Sequence, residues 1–364
     1  MYPRINIDMK KLEQNLDALT SMFLSKDMKL MIVTKVVCAD NKIVEMISQN
    51  DCVKYYADSR IENLINITQL EESKKLKLKE KVLLRLPMIS DVERTVKYAD
   101  ISLNSEIQTI RALDEAAGLQ NTKHKIILMI DVGDLREGIY YTEREKIFEV
   151  VEETLKLNNI VIEGIGVNLT CYGAVIPHYD NLQIIADFAK DIEAKFDVKL
   201  QIVTGGNSSS LHAMFIDEIP DKINCLRIGE ALYLANETAY SQTIEGMNSD
   251  CFELEAEIIE IGEKPSLPVG DIGVDAFGKK PYYEDEGIIR RAIIAIGKQD
   301  IDLDCIAAID EDIKILGASS DHMILNIDNC KNEYKLGDTV KFNLNYGGLL
   351  KLFTSKYISR KYFG

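Results

Sequence analysis

One lysine stands where a lysine can do chemistry. Lys35 closes the run Lys29-Leu-Met-Ile-Val-Thr-Lys35, whose residues Leu30 to Val33 are apolar and partly β-branched, as a strand covered on both faces requires. Asp40 follows as a candidate N-cap, with Ile43, Val44, Met46 and Ile47 as the apolar stripe of the next helix. That order puts Lys35 at the C-terminal mouth of the first strand of a parallel sheet or barrel, where such folds carry their reactive groups. An amine there can attack an aldehyde or take up a proton when neutral, and partial burial with cationic neighbours favours the neutral form. Taken without its surroundings, the same lysine is a solvated strand end.

Two further stretches could hold an anion. Thr204-Gly-Gly-Asn-Ser-Ser-Ser210 offers glycines for close backbone approach and hydroxyls as donors, and Leu226-Arg-Ile-Gly-Glu230 again carries a glycine into a helix. In barrels, phosphate commonly binds after the seventh and eighth strands, and these are the corresponding loops.

The elements that must position these residues are legible. Short apolar runs alternate with amphipathic helices, giving eight candidate strands: Leu30–Thr34, Val53–Ala57, Val82–Arg85, Ile101–Leu103, Ile126–Asp131, Val161–Asn168, Gln201–Thr204 and Cys225–Ile228. Eight is the number that closes a (β/α)8 TIM-type barrel. The Lys- and Glu-rich stretch Leu70–Lys81 reads as a solvated helix end and loop. After about Thr238 helical periodicity stops and strand-like runs punctuated by Gly and Pro take over. The expected division is a barrel domain over residues 1–240 and a mainly β domain over 241–364.

Composition excludes several classes. A formal net charge of -16 argues against nucleic acid as a partner, since phosphate binding needs clustered Lys and Arg. No stretch approaches the ~20 apolar residues of a membrane span, and the N-terminus lacks the order of a signal peptide. Seven scattered cysteines without a Cys-x-x-Cys fit a reducing compartment, so the expectation is a cytoplasmic protein. The four histidines show no metal-ligand spacing, and no metal site is expected.

The placement of Lys35 and the N-terminal Tyr2-Pro-Arg-Ile-Asn-Ile-Asp-Met-Lys-Lys-Leu-Glu-Gln-Asn15 resemble the alanine racemase class of pyridoxal phosphate (PLP) enzymes. The resemblance implies that Lys35 holds the cofactor as a Schiff base and works on one face of the substrate α-carbon, in an active site completed across a homodimer interface. It carries over cofactor contacts to Arg136, Asn207, Ser208, Arg227 and Gly229, with Glu230 beside them and Tyr346 from the second domain, where Leu344-Asn-Tyr346 resembles the strand whose tyrosine donates to the phosphate. Arg227 faces the pyridine nitrogen in this pattern, and an arginine cannot accept a proton, so that nitrogen stays largely neutral. Without the resemblance, Arg227 could equally pair with a helix carboxylate such as Glu230. The likeness is closest to the branch acting on ornithine, over segments such as Gly164–Pro177, Gly229–Tyr240 and Pro265–Gly287.

Departures accompany it. The class tyrosine after the lysine turn is Ala39 here, with Cys38 beside it, and the class histidine after the sixth strand is Asn168. The opposite-face base has no single match: Asp271, Asp275, Tyr282 and Tyr283 compete, with Asp275 carried as the candidate. A small amino-acid substrate with a distal ammonium needs a carboxylate or several oxygen acceptors. Asn168, Ser320 and Asp321 are the expected substrate contacts, since Ser319-Ser-Asp-His322 resembles the loop that reaches a partner's site. The rivals are a decarboxylase, a racemase of another basic amino acid, and a PLP-binding regulator without turnover.

Overall fold

The structure, a computed structural model, describes residues 1–278 and 280–364. The chain forms two compact units, Leu12–Ser249 and a second made of Met1–Lys11 with Asp250–Gly364.

The N-terminal strand β1 (Arg4–Asp8) belongs to the second unit and is taken up below. The first unit is built on β2 (Lys29–Val33), β3 (Val53–Asp58), β4 (Glu80–Leu83), β5 (Ile101–Asn104), β6 (His124–Asp131), β7 (Ile160–Gly166), β8 (Ile202–Thr204) and β9 (Cys225–Ile228). Neighbours pair in parallel all the way round, and β9 returns to β2 with Arg227 opposite Met31 and Ile228 opposite Ile32, which closes the barrel. These are the eight strands expected from sequence, and the (β/α)8 class holds. Met31, Tyr55, Val82, Ile101, Ile127 and Met129 fill the interior, as alternate strand residues must in a barrel this narrow. Leu128, Ile130, Ile165 and Val203 turn the other way and pack on the helices. Asp40 caps the helix Asn41–Gln49 as expected, its Oδ1 accepting from Lys42 N at 3.1 Å and Ile43 N at 3.3 Å.

The Leu70–Lys81 stretch is not the solvated loop that its charge suggests. Its helix runs on to Lys74, and Glu71 and Lys79 are buried. Glu71 Oε2 pairs with Lys81 Nζ at 3.1 Å, while Lys79 Nζ donates to the carbonyls of Asn50 and Val53 at 2.7 and 2.8 Å. Full pairing is what makes such burial tolerable.

In the second unit, β10 (Phe252–Pro265), β11 (Ile288–Ile294), β12 (Ile306–Ala308), β13 (Lys314–Ala318), β14 (Met323–Asn326) and β15 (Thr339–Leu344) form one sheet in the order β12-β15-β10-β11-β14-β13. β1 joins it, antiparallel to β10 and parallel to β16 (Ser359–Phe363). A mainly β C-terminal domain is therefore present. The compact units divide at 249/250 rather than 240/241, and residues 1–11 go with the second unit because β1 finds its hydrogen-bond partners there.

Candidate active site

Lys35 opens a one-turn 3-10 helix directly after β2. The turn is tight: Cys38 and Ala39 both adopt left-handed backbone, with φ 48° each, and Ala39 N donates back to Thr34 O at 3.2 Å. Thr34 is tied to the neighbouring strand, its N–H donating to Ala57 O at 2.9 Å and its Oγ1 to Asp58 Oδ2 at 2.7 Å. The carboxyl groups of Asp58 and Glu230 lie in the field of Lys35. Burial pushes the Asp58 carboxyl up, against the pull of Thr34, Arg60, Asn63 and Lys35. Burial likewise raises Glu230, whose Oε1 accepts from Asn236 at 2.8 Å. Sequence reasoning singled out neither Thr34 nor Asp58.

The two glycine-bearing loops converge. Ser208 Oγ accepts from Gly229 N at 3.4 Å and Ala231 N at 3.3 Å, which joins the loops after β8 and β9. Gly206 has φ 112°, and a Cβ on it would stand 2.7 Å from Ser210 Oγ, so that turn needs glycine.

Arg227 is 3% exposed and takes only neutral hydrogen-bond partners: Thr204 Oγ1 at 2.8 Å, Val167 O at 2.9 Å and Asn168 Oδ1 at 3.4 Å. Its anticipated alternative, an ion pair with Glu230, is not formed, because Glu230 is bonded to Asn236. Asn207 Nδ2 donates to Asn168 Oδ1 at 3.2 Å and Leu169 O at 2.9 Å, so Asn168, Asn207 and Arg227 form one network. Cys171 Sγ touches it, 3.3 Å from Asn207 Nδ2. Within this network Asn168 Nδ2 is buried without a partner, as is the neighbouring Ser209 Oγ.

On the loop after β6, Arg136 grips Glu137 through two nitrogens. Burial alone would raise the Glu137 carboxyl, but Arg136, with Arg227 behind it, holds it below the usual range. Asp134 is buried and spent on structure, accepting from Tyr172 N and Gly173 N at 3.1 Å each. It serves the loop after β7.

The second unit brings its own expected residues together in part. Asp275 Oδ1 accepts from Phe277 N at 2.9 Å, and its Oδ2 lies 3.8 Å from Lys298 Nζ. Lys298 N and Gln299 N donate to the carbonyls of Ser319 and Ser320 at 2.9 Å each, so the Ser320–Asp321 turn and Asp275 share one region. Asp321 is exposed and bonded to His322 Nδ1 at 2.9 Å, which holds its carboxyl below the ordinary range. Tyr346 lies apart from them in sequence and opens the helix Tyr346–Thr354, where a strand was expected. Asn345 caps that helix, its Oδ1 accepting from Gly348 N at 3.0 Å, and Gly348 lets it pack against Cys305.

Among the described residues no group of three or more His, Cys, Asp or Glu is placed to hold a metal, and no helix is long and apolar enough to cross a membrane.

Residues 7–237 match the family described as "Alanine racemase, N-terminal domain". This chain belongs to that family. An ornithine racemase from Acetoanaerobium sticklandii is 50% identical over 361 residues, covering 99% of each chain. A lysine racemase from Thermotoga maritima is 36% identical over 362 residues, covering 100% of this chain and 99% of the relative. Among solved structures, alanine racemase from Clostridium difficile 630 superposes with TM-score 0.75 at 19% identity, covering 99% of this chain and 95% of that one. The alanine racemase of Bartonella henselae with covalently bound pyridoxal phosphate superposes with TM-score 0.72 at 18% identity, covering 99% of both.

For a member of the alanine racemase family, the donor set is apt. A lysine at the barrel mouth, two joined loops of hydroxyl and backbone donors, a buried guanidinium without a bonded carboxylate and an unpartnered amide suit an anionic heteroaromatic aldehyde.

Proposed function

We propose that this racemase interconverts the enantiomers of ornithine, with PLP as its cofactor and Lys35 as both anchor and proton-transfer group. When bound, the cofactor would supply an electron sink for the substrate α-carbon. Lys35, held by the Thr34 turn, takes or returns the α-proton on one face. Ser208, Asn207 and Gly229 offer donors for a phosphate, and Tyr346 is a further candidate donor. Arg227 holds any basic nitrogen it faces unprotonated, because its guanidinium only donates and has no lone pair to accept a hydrogen bond from a protonated ring. Arg136 and Glu230 would help to hold the cofactor, and the buried Asn168 N–H without a partner could donate to a ligand oxygen.

The observation that carries this reading is Arg227, a buried cation whose hydrogen bonds all go to neutral groups. A decarboxylase would want a bonded carboxylate at that position.

We assign the opposite-face proton to Asp275 and the distal ammonium to Asp321 with Ser320, contributed by the second subunit of a homodimer. Their shared region supports that grouping, and so do Val269, Val274 and Tyr282, which are 95%, 69% and 86% exposed and suit cover by a partner. Cytoplasmic residence agrees with seven cysteines that form no disulfide among the described residues. The substrate class rests on the ornithine racemase relative, and lysine is the second choice because a lysine racemase is also similar.

The test is chiral chromatography of PLP-loaded protein with ornithine, lysine and alanine. Ornithine should turn over fastest, and Asp321→Asn should weaken ornithine turnover far more than cofactor binding. Alanine at a rate comparable to ornithine would sink the assignment, since no ammonium pocket would then be needed.

A further inference from the structure

We propose that Asp58 is a positioning residue for Lys35: from the end of the adjacent strand it fixes the turn that carries the lysine. This rests on the role given to Lys35 above. Asp58 is 0% exposed, so it touches neither bulk water nor substrate. Its two oxygens do different things. Oδ1 accepts from Arg60 N at 2.9 Å and Asn63 Nδ2 at 3.0 Å, which organises the entry to the helix Ile61–Lys74. Oδ2 accepts from Thr34 Oγ1 at 2.7 Å, a bond that the helix entry does not need.

That second bond reaches the residue immediately before Lys35. With Thr34 N on Ala57 O at 2.9 Å, it clamps the lysine turn to β3 at two points. Burial favours the neutral form of this carboxyl, and the hydrogen bonds from Thr34, Arg60 and Asn63 offset that cost.

The test compares wild type with Thr34→Val, which keeps the volume and removes the donor to Asp58 Oδ2, and with Thr34→Ser, which keeps the donor. In the PLP-loaded form kcat should fall at least about tenfold in Thr34→Val with KM within about threefold, and Thr34→Ser should restore it. Equal loss in both, or a fall of less than about threefold in Thr34→Val, overturns the proposal. If Thr34→Val does not fold, Asp58→Asn is read by the same split of kcat from KM. Borohydride reduction of loaded wild type reports separately on the parent reading, which fails if the cofactor is trapped on a residue other than Lys35.

Discussion

Lys35→Ala removes the only amine that the turn after β2 presents, so racemisation should fall by at least about 10³-fold and the borohydride-trapped adduct should vanish, both read on protein incubated with PLP. Arg227→Glu places a proton acceptor where a non-acceptor stood. It also leaves Thr204, Val167 and Asn168 without their donor, at about 1–3 kcal/mol for each buried group left unpaired. Racemisation should drop and keto-acid formation rise, followed by coupling the keto acid to a reductase, whereas unchanged partitioning would make Arg227 structural. At this scale Lys35, Asn207, Ser208 and Arg227 were legible because each sits at a strand end or in a glycine-bearing loop. Thr34 and Asp58 were not, because their meaning lies in a bond between strands 24 residues apart. The pairing of Asp134 with the loop after β7 was hidden in the same way.

The barrel strands could be read because each is an apolar run covered on both faces, and nothing else in the chain gives that pattern eight times before Thr238. β1 escaped notice: Arg4-Ile-Asn-Ile-Asp8 is short, and its alternation gains meaning only from partners some 250 residues away. Tyr346 was expected in a strand because Thr339–Leu344 is one, but Asn345 caps a helix before the tyrosine is reached. Packing between elements makes a further prediction. A Cβ on Gly164 in β7 would stand 1.9 Å from Ile202 O, whereas one on Gly262 in β10 meets nothing within 4 Å. Gly164→Ala should therefore lower stability by about 3 kcal/mol, and Gly262→Ala should stay within about 0.5 kcal/mol. Urea midpoints of the two variants check this, and equal midpoints would mean that β7 and β8 can separate at little cost.

At the scale of the whole molecule, the second unit is assembled from both ends of the chain, with β1 lying between β10 and β16. Glu255 on β10 is the residue that secures it. Its carboxylate is 5% exposed and receives Arg4 at 2.6 Å, Asn6 Nδ2 at 2.8 Å and Thr339 Oγ1 at 2.8 Å. Burial would raise this carboxyl, but the bonds from Asn6, Thr339 and Arg4, with the charge of Arg4, bring it down to about 2. A carboxyl depressed in the folded state contributes stability that is complete above its unfolded value of 4.5 and is lost as pH falls toward about 2. The difference corresponds to at most about 3 kcal/mol. Glu255→Gln should thus destabilise the second unit by about 2–3 kcal/mol at pH 7, and the gap from wild type should close between about pH 4.5 and pH 2. Denaturant unfolding of both proteins across that range provides the measurement. A gap that stays constant down to pH 2 would show that Glu255 holds β1 through hydrogen bonds alone, with no contribution from its charge.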